Sequence, residues 1–468
     1  MAAQQDRSVP CGRTRRTAGA NSKAGAHAGA DATTVRYRAP ETDKSRWVRL
    51  AACIVCMVAT ANLQYAWTLF VPEIQHTYGW PRAKIQLAFT IFVVVQTWLA
   101  PLEGWFIDRF GPRPIVAGGA ILMGAAWVID AFSTTLGGLY CGAAVGGVGV
   151  GAIYATCINN ALRWFPDRRG LAVGLTAGGY GAGSALTILP IAAMIASSGY
   201  QRTFLVFGIL QGVVAFVAAW FLRTPRAGEI NASPLLAQTT RDYTLRQALA
   251  TRLFWLMFIM FILVVTGGMM AVAQLGVIAS DLGVKEFKVD LHFAVIASLP
   301  LALMLDRIMN GISRPLFGWI SDHIGRELTM VIAFTLEGCG IIALGIFGND
   351  PYAFLLLSGL VFLAWGEVYS LFSALAGDAF GTRHIGKIYG VLYTAKGIGA
   401  LLVPLGNLMM EATGTWTIVL FTVALMDLAA AALAIVLLRP VLARHVALSR
   451  RLFEKESLLR HEAAGAPG

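Results

Sequence analysis

Twelve runs of roughly twenty consecutive, mostly apolar residues, separated by short polar joints, constrain this chain more than any other feature. A hydrocarbon core of about 30 Å takes about 20 residues of helix to cross. In lipid, only helices and closed barrels satisfy every backbone N–H and C=O. The runs lie near 48–70, 85–107, 114–134, 138–161, 171–196, 203–222, 253–278, 293–320, 329–347, 352–376, 386–410 and 416–438. They predict an all-α polytopic membrane protein of twelve transmembrane helices. With 57% hydrophobic and 13% charged residues, the 468-residue chain is excluded from the ordinary soluble class.

The joints carry the orientation. If the N-terminus is cytoplasmic, the inner loops hold Arg109, Arg113, Arg163, Arg168, Arg169, Arg223, Arg226, Arg241, Arg246, Arg252, Arg326, Arg383 and Lys387, and the outer loops only Arg82, Lys84, Arg202, Lys285 and Lys288. The positive-inside rule then predicts both termini inside, in a multi-pass protein of the cell inner (plasma) membrane. The net charge of +11 reads as topology plus basic tails, and no nucleic-acid partner is expected. Residues 1–46 have no apolar run and "RTRR" no hydrophobic region after it, so a disordered cytoplasmic tail is expected there rather than a secretion signal. The segment 439–468 reads as a basic amphipathic tail helix on the inner leaflet. Cys53 and Cys56 form a C-x-x-C among Ile, Val and Met with no histidine or second pair beside it, which reads as helix packing.

The chain repeats itself. "APLEGWFIDRFG" (100–111) matches "RPLFGWISDHIG" (314–325), so that Gly104, Asp108 and Gly111 recur as Gly318, Asp322 and Gly325 at an offset of 214. Farther on, "GAIY" meets "GEVY", setting Tyr154 on Tyr369, and "GLAVGLTAGGYGAG" meets "GKIYGVLYTAKGIG", setting Tyr180 on Lys396. The expected organisation is therefore two parallel six-helix halves, 47–222 and 252–438, joined by a cytoplasmic linker over 223–251, with a substrate path on the pseudo-two-fold axis.

The paired loops "GWFIDRFGPR" and "GWISDHIGRE" resemble the signature between helices two and three, and eight and nine, of the major facilitator superfamily, over about 48–438. Physically, such loops suit a cytoplasmic gate. Their glycines let helices approach closely, while Asp108 and Asp322, beside Arg109, Arg113 and Arg326, can pair with inner-loop arginines or cap a neighbouring helix end.

Ionisable residues within a span are functional hypotheses by default, and here they are Lys396, Arg314, Arg307, Asp306, Glu367, Glu103, Glu337, Asp130 and Asp427. At 1.5 Å per residue Arg314 lies about 12 Å and Lys396 about 15 Å from the inner end of its helix. Facing lipid, each would cost about 2.5–3.5 kcal/mol, so both are expected to face an aqueous cavity or a bound anion. Tyr65, Tyr154, Tyr180, Trp365, Tyr369 and Tyr393 gather at comparable depth, and aromatic walls beside two cations suit a small planar anion.

"LQYAWTLF", "RWFPDRRGLAVGLTAGGYG", "NGISRPLFGWISDHIGR" and "YTAKG" together resemble the oxalate/formate antiporter family within the superfamily. The resemblance implies that Arg314 and Lys396 bind substrate carboxylates, with Tyr65, Tyr154, Tyr180, Trp365 and Tyr369 as cavity aromatics. It implies a monomeric carrier exchanging oxalate for formate by alternating access, with small carboxylates and the bilayer as partners. This chain departs from the family's exchanger at Tyr393, where the family has tryptophan, at Glu367, where it has glycine, and at Asp306-Arg307, where it has neutral residues. Glu367 reads as paired across the bundle or protonated, and Arg307 either extends a cationic track outward or pairs with Asp306. If Glu367 is a proton-coupling carboxylate, the alternative is a proton-coupled formate, lactate or pyruvate symporter. No phosphate loop, nucleophile triad or His/Cys cluster stands among these motifs, so neither an enzyme nor a cofactor or metal is expected.

Overall fold

The computed structural model describes residues 43–226, 229–230, 238–239, 241–284, 287–290 and 295–464. The tail expected over 1–46 falls outside them except for its last four residues, which already belong to the first helix, Asp43–Thr60. Of the linker expected over 223–251, residues 227–228, 231–237 and 240 also lie outside.

The chain folds almost wholly into helices. We number the long ones α1 (Ser45–Tyr65), α2 (Leu87–Trp98 and Ala100–Phe110), α3 (Pro112–Phe132), α4 (Leu136–Trp164), α5 (Arg169–Ser198), α6 (Tyr200–Ala219), α7 (Arg252–Asp281), α8 (Ser298–Ile324), α9 (Arg326–Phe347), α10 (Pro351–Phe380), α11 (Ile385–Thr413) and α12 (Trp416–Leu433). Among the described residues nine helices are long and apolar enough to cross a membrane, ten when the bent pair of α2 counts as one span. The two others, α8 and α11, have 27 and 29 residues and carry the charges read as functional, Arg314 and Lys396.

The polarity of α8 is inside out. Met304, Ile308, Ile312, Leu316 and Trp319 recur every three or four residues on its exposed face, whereas Asp306, Asn310, Ser313, Arg314 and Ser321 are buried. A helix in this environment turns its apolar stripe toward lipid and its polar stripe toward the bundle.

Several expected spans are broken, each with a local cause. The run 85–107 bends by 47° between Trp98 and Ala100; Pro101 has no N–H to continue the ladder there. The run 171–196 passes through a 3₁₀ turn at Ser184–Leu186 just ahead of Pro190. The run 352–376 breaks at Gly366 and Glu367, between helices Pro351–Trp365 and Val368–Phe380. The run expected from 293 begins its helix only at Ser298, because Val295–Ala297 pairs antiparallel with Lys288–Asp290 in a two-stranded sheet.

The two halves meet along two seams, α5 with α8 and α2 with α11. At both, backbone touches backbone: Gly170 against Gly318 and Gly104 against Gly386, then Gly174 against Arg314-Pro315 and Gly390 against Ala100-Pro101. The repeat thus explains the motif glycines Gly104 and Gly318 as equivalent contacts across the pseudo-two-fold axis. Adding a methyl at Gly318 would drive it into the Gly170 carbonyl. We expect Gly318→Ala to cost the closed seam about 1–3 kcal/mol, read as a lower melting temperature in detergent and slower transport.

The C-terminal helix, Arg439–Ala464, continues from α12 through a π turn at Ala434–Leu438. It does more than lie alongside the bundle: His445 Nε2 is 3.0 Å from the Ala379 carbonyl and its ring sits 5.0 Å from that of Tyr243.

Candidate functional site

The loop face defined by Gly111 and Gly325 is closed by a buried ionic network. Asp322 accepts the N–H groups of Gly170 and Leu171 at 2.9 and 2.8 Å, so the carboxylate of one half caps the first turn of α5 in the other. Arg326 donates to Asp322 at 2.7 Å and to Asp378 at 2.9 Å, and Arg169 donates to Asp378 at 2.8 Å. Four charges on α5, α8, α9 and α10 thereby lock both halves together, all buried. The equivalent in the first half is simpler: Arg163 donates to Asp108 at 2.7 Å and to the Arg383 carbonyl at 3.3 Å.

The structure does not place Arg109 and Arg113 in this network. Both are exposed, Arg109 lying over Phe110 and Arg113 over Trp220. Gly111 and Gly325 adopt positive φ of 78° and 100°, which ends one helix and starts the next in a tight turn. Asp378 and Arg169 were missed as gate residues because their partners are far apart in sequence; a buried acid at the end of α10 was the available signal.

Deeper in the bundle a tight cavity of about 20 Å³ is lined by Gln64, Tyr65, Tyr154, Tyr180, Met269, Arg314, Trp365, Tyr369, Tyr393 and Lys396. All eight residues read from the sequence as substrate-binding therefore come together around one space. Gln64 and Met269 were not read. Gln64 sits in the last turn of α1 and accepts the Tyr180 hydroxyl at 2.7 Å, while Gln96 donates to that hydroxyl at 3.2 Å.

Arg314 is 1% and Lys396 3% exposed, so neither can snorkel to an interface. Arg314 donates to the Ala177 carbonyl at 2.7 Å and to Asn310 Oδ1 at 3.1 Å, leaving its Nε without a partner. Lys396 donates to the Tyr393 hydroxyl at 3.1 Å. Neither forms an ion pair among the described residues. Their cationic ends lie 5.2 and 5.5 Å from the centre of the same ring, Tyr369, which puts them no more than about 11 Å apart.

The aromatic wall is continuous. Tyr154 stacks on Tyr393 at 5.3 Å, meets Tyr180 edge-on at 5.3 Å, and Tyr180 meets Tyr65 at 5.4 Å. On the other side Trp365 packs edge-on to Tyr369 at 5.8 Å, its indole seated on Gly268 of α7. The Tyr154 hydroxyl and the Trp365 Nε1 have no protein partner. Such a box offers two cations, unpaired donors and ring faces around a tight space. It suits an anion of a few heavy atoms. Removing the hydroxyl that Lys396 touches, in Tyr393→Phe, should weaken anion binding by about 1 kcal/mol, seen as a raised KM with kcat nearly kept.

The remaining intramembrane charges depart from their expected pairings. Arg307 does not pair with Asp306; its guanidinium lies 4.7 Å over the Tyr65 ring. Asp306 is buried with neither oxygen bonded. Glu367 forms no cross-bundle pair: it is fully buried and both its oxygens lack a partner. Asp130 and Asp427 are buried as well.

A bundle of two equivalent halves closed over a central charged cavity is the architecture of a membrane transporter. Residues 52–310 and 295–462 match the family model described as Major Facilitator Superfamily. The chain is 32% identical to the oxalate:formate antiporter of Oxalobacter formigenes over 374 residues, 77% of this chain and 85% of that protein. It is 24% identical to monocarboxylate transporter 11 of Mus musculus over 78% of this chain and 77% of that one. Among solved structures, the proton:xylose symporter XylE superposes with a TM-score of 0.65 at 11% identity, covering 85% of this chain and 97% of that one. The chain belongs to the major facilitator superfamily and, within it, to the oxalate/formate antiporter family.

Proposed function

We propose that this chain carries small carboxylate anions across the cell's inner membrane by alternating access, exchanging oxalate outside for formate inside, with both termini cytoplasmic. One observation carries the reading: Arg314 and Lys396 are buried, face the same cavity, and form no ion pair among the described residues. The likeness to the oxalate:formate antiporter of Oxalobacter formigenes supports the choice of anion.

The geometry suggests how exchange is enforced. Arg314 reaches across the α5–α8 seam to the Ala177 carbonyl, so the charge that meets the anion also touches the interface that must slide. An empty cavity holds two uncompensated cations, and enclosing them away from water is costly. A dicarboxylate bridging the two cancels both and lets the Asp322–Arg326–Asp378–Arg169 network break and re-form around a neutral load. Entry of the oxalate dianion and exit of the formate monoanion move one negative charge inward per cycle.

The test is exchange in reconstituted vesicles. Trapped formate or oxalate should accelerate uptake of labelled oxalate over empty vesicles, and a panel of malonate, lactate and pyruvate should compete less well. Equal uptake with and without a trapped carboxylate would contradict exchange, and no competition by formate would contradict the pair.

A further inference from the structure

One cation of α8 has no part in the site described so far. Arg307 stands seven residues before Arg314, which is close to two turns, about 10 Å along the axis and nearly the same face. It therefore stands over Arg314 on the side away from Gly325 and the Asp322–Arg326 network. Gly311, midway between the two arginines, packs on Ala182 of α5. The polar stripe of α8 thus carries a second guanidinium between the anion cavity and the opposite face of the bundle.

Its surroundings differ from those of the gate arginines. Arg163, Arg169 and Arg326 are each tied to a carboxylate, whereas Arg307 makes no hydrogen bond or ion pair among the described residues. Asp306 beside it is buried with both oxygens unpartnered. What Arg307 does have is the face of Tyr65, 4.7 Å from the guanidinium carbon to the ring centre, with both side chains half-buried. Tyr65 ends α1 in the first half, lines the anion cavity and meets Tyr180 at 5.4 Å. The contact therefore joins the two halves and has one end on the wall of the site. A ring face holds a cation without cancelling its charge. When the halves rock apart on this side, α1 and α8 separate there and so close a contact is broken. The freed guanidinium then borders the way in. A carboxylate, which takes two parallel hydrogen bonds from it, is a stronger partner than a ring.

We propose that Arg307 is a third carboxylate-binding residue, an entry station on the side opposite the Asp322 network. It takes the anion from water, passes it to Arg314 and Lys396, and returns to the Tyr65 ring as that side closes. This rests on the anion reading of Arg314 and Lys396. The charge balance of the loaded cavity is unchanged, one dianion against two cations, since Arg307 is back on its ring when the anion is enclosed.

Removing and restoring the charge tests this. Labelled oxalate uptake is measured in right-side-out membrane vesicles loaded with oxalate, at external concentrations well below half-saturation, after subtraction of vesicles lacking the protein. Arg307→Gln should cut this uptake about tenfold, because a charged entrance raises capture by at least that order. Arg307→Lys, which keeps the charge, should stay within about threefold of the wild type. Added salt should slow the wild type and Arg307→Lys, and leave Arg307→Gln nearly unaffected. In a background lacking the native cysteines, Arg307→Cys should gain uptake from an impermeant thiosulfonate bearing a trimethylammonium group. A reagent of similar size bearing a sulfonate should lower it. Wild-type uptake in Arg307→Gln, an equal loss in Arg307→Gln and Arg307→Lys, or the same response of Arg307→Cys to both reagents would each overturn the proposal. No uptake of any carboxylate by the wild type would instead overturn the anion reading, a distinguishable failure.

Discussion

Lys396→Gln should abolish oxalate exchange while leaving the protein folded in the membrane. The substitution shortens the side chain by one atom, keeps a polar hydrogen-bonding end, and removes the charge from a residue that is 3% exposed and makes a single hydrogen bond, to Tyr393. Burying an unpaired ammonium costs the empty protein several kcal/mol, so the neutral amide should not destabilise it. What disappears is the attraction that turns a carboxylate in the cavity into a bound ligand. A buried charge-assisted contact is worth about 1.5–3 kcal/mol, and the loaded state also loses its neutrality, so transport should fall by well over an order of magnitude. Uptake into vesicles, normalised to correctly inserted protein, checks this; wild-type rates in the variant would remove Lys396 from the site.

The second large effect is expected at Asp378, the carboxylate shared by Arg169 and Arg326. Asp378→Asn leaves two buried guanidinium groups competing for one remaining acid, Asp322. Breaking a buried pair from one side costs about 3–5 kcal/mol, and the cost falls mainly on the state in which this face is closed. The equilibrium should therefore swing toward the state open on the Asp322 side, by roughly 100-fold or more at about 1.4 kcal/mol per factor of ten. A cysteine at Ser373, buried on α10 one turn beyond Tyr369, reports it in a background lacking the native cysteines. Its alkylation from the Asp322 side by an impermeant maleimide should accelerate in Asp378→Asn, and an unchanged rate would show that the network does not hold the gate.

How much of this was legible in the sequence follows from what each signal depends on. The depth of Arg314 and Lys396 depends only on helical rise, and the repeat set Tyr154 on Tyr369 at matching depth, so the residues around the cavity could be named before their contacts were seen. Pairings were less legible, because they depend on rotations between helices that spacing does not encode. Arg109 and Arg113 adjoin the motif aspartate in sequence but turn outward, and Arg163, a whole helix away, takes Asp108 instead. Glu367 reads from the sequence as either paired across the bundle or protonated, and only the structure shows that both its oxygens lack a partner. The bend at Pro101 and the pairing of Lys288–Asp290 with Val295–Ala297 escaped a reading built on apolar length, because a broken span and an unbroken one have the same composition.

The central claim is that one dicarboxylate spans Arg314 and Lys396, and direct binding tests it most simply. Calorimetric titration of the purified protein with oxalate should saturate at one anion per chain in the wild type. It should weaken by an order of magnitude or more in both Arg314→Gln and Lys396→Gln, and the double variant should lose less than the sum of the two, because either change alone already breaks the bridge. Oxalate binding that survives either single substitution at wild-type strength would contradict the account.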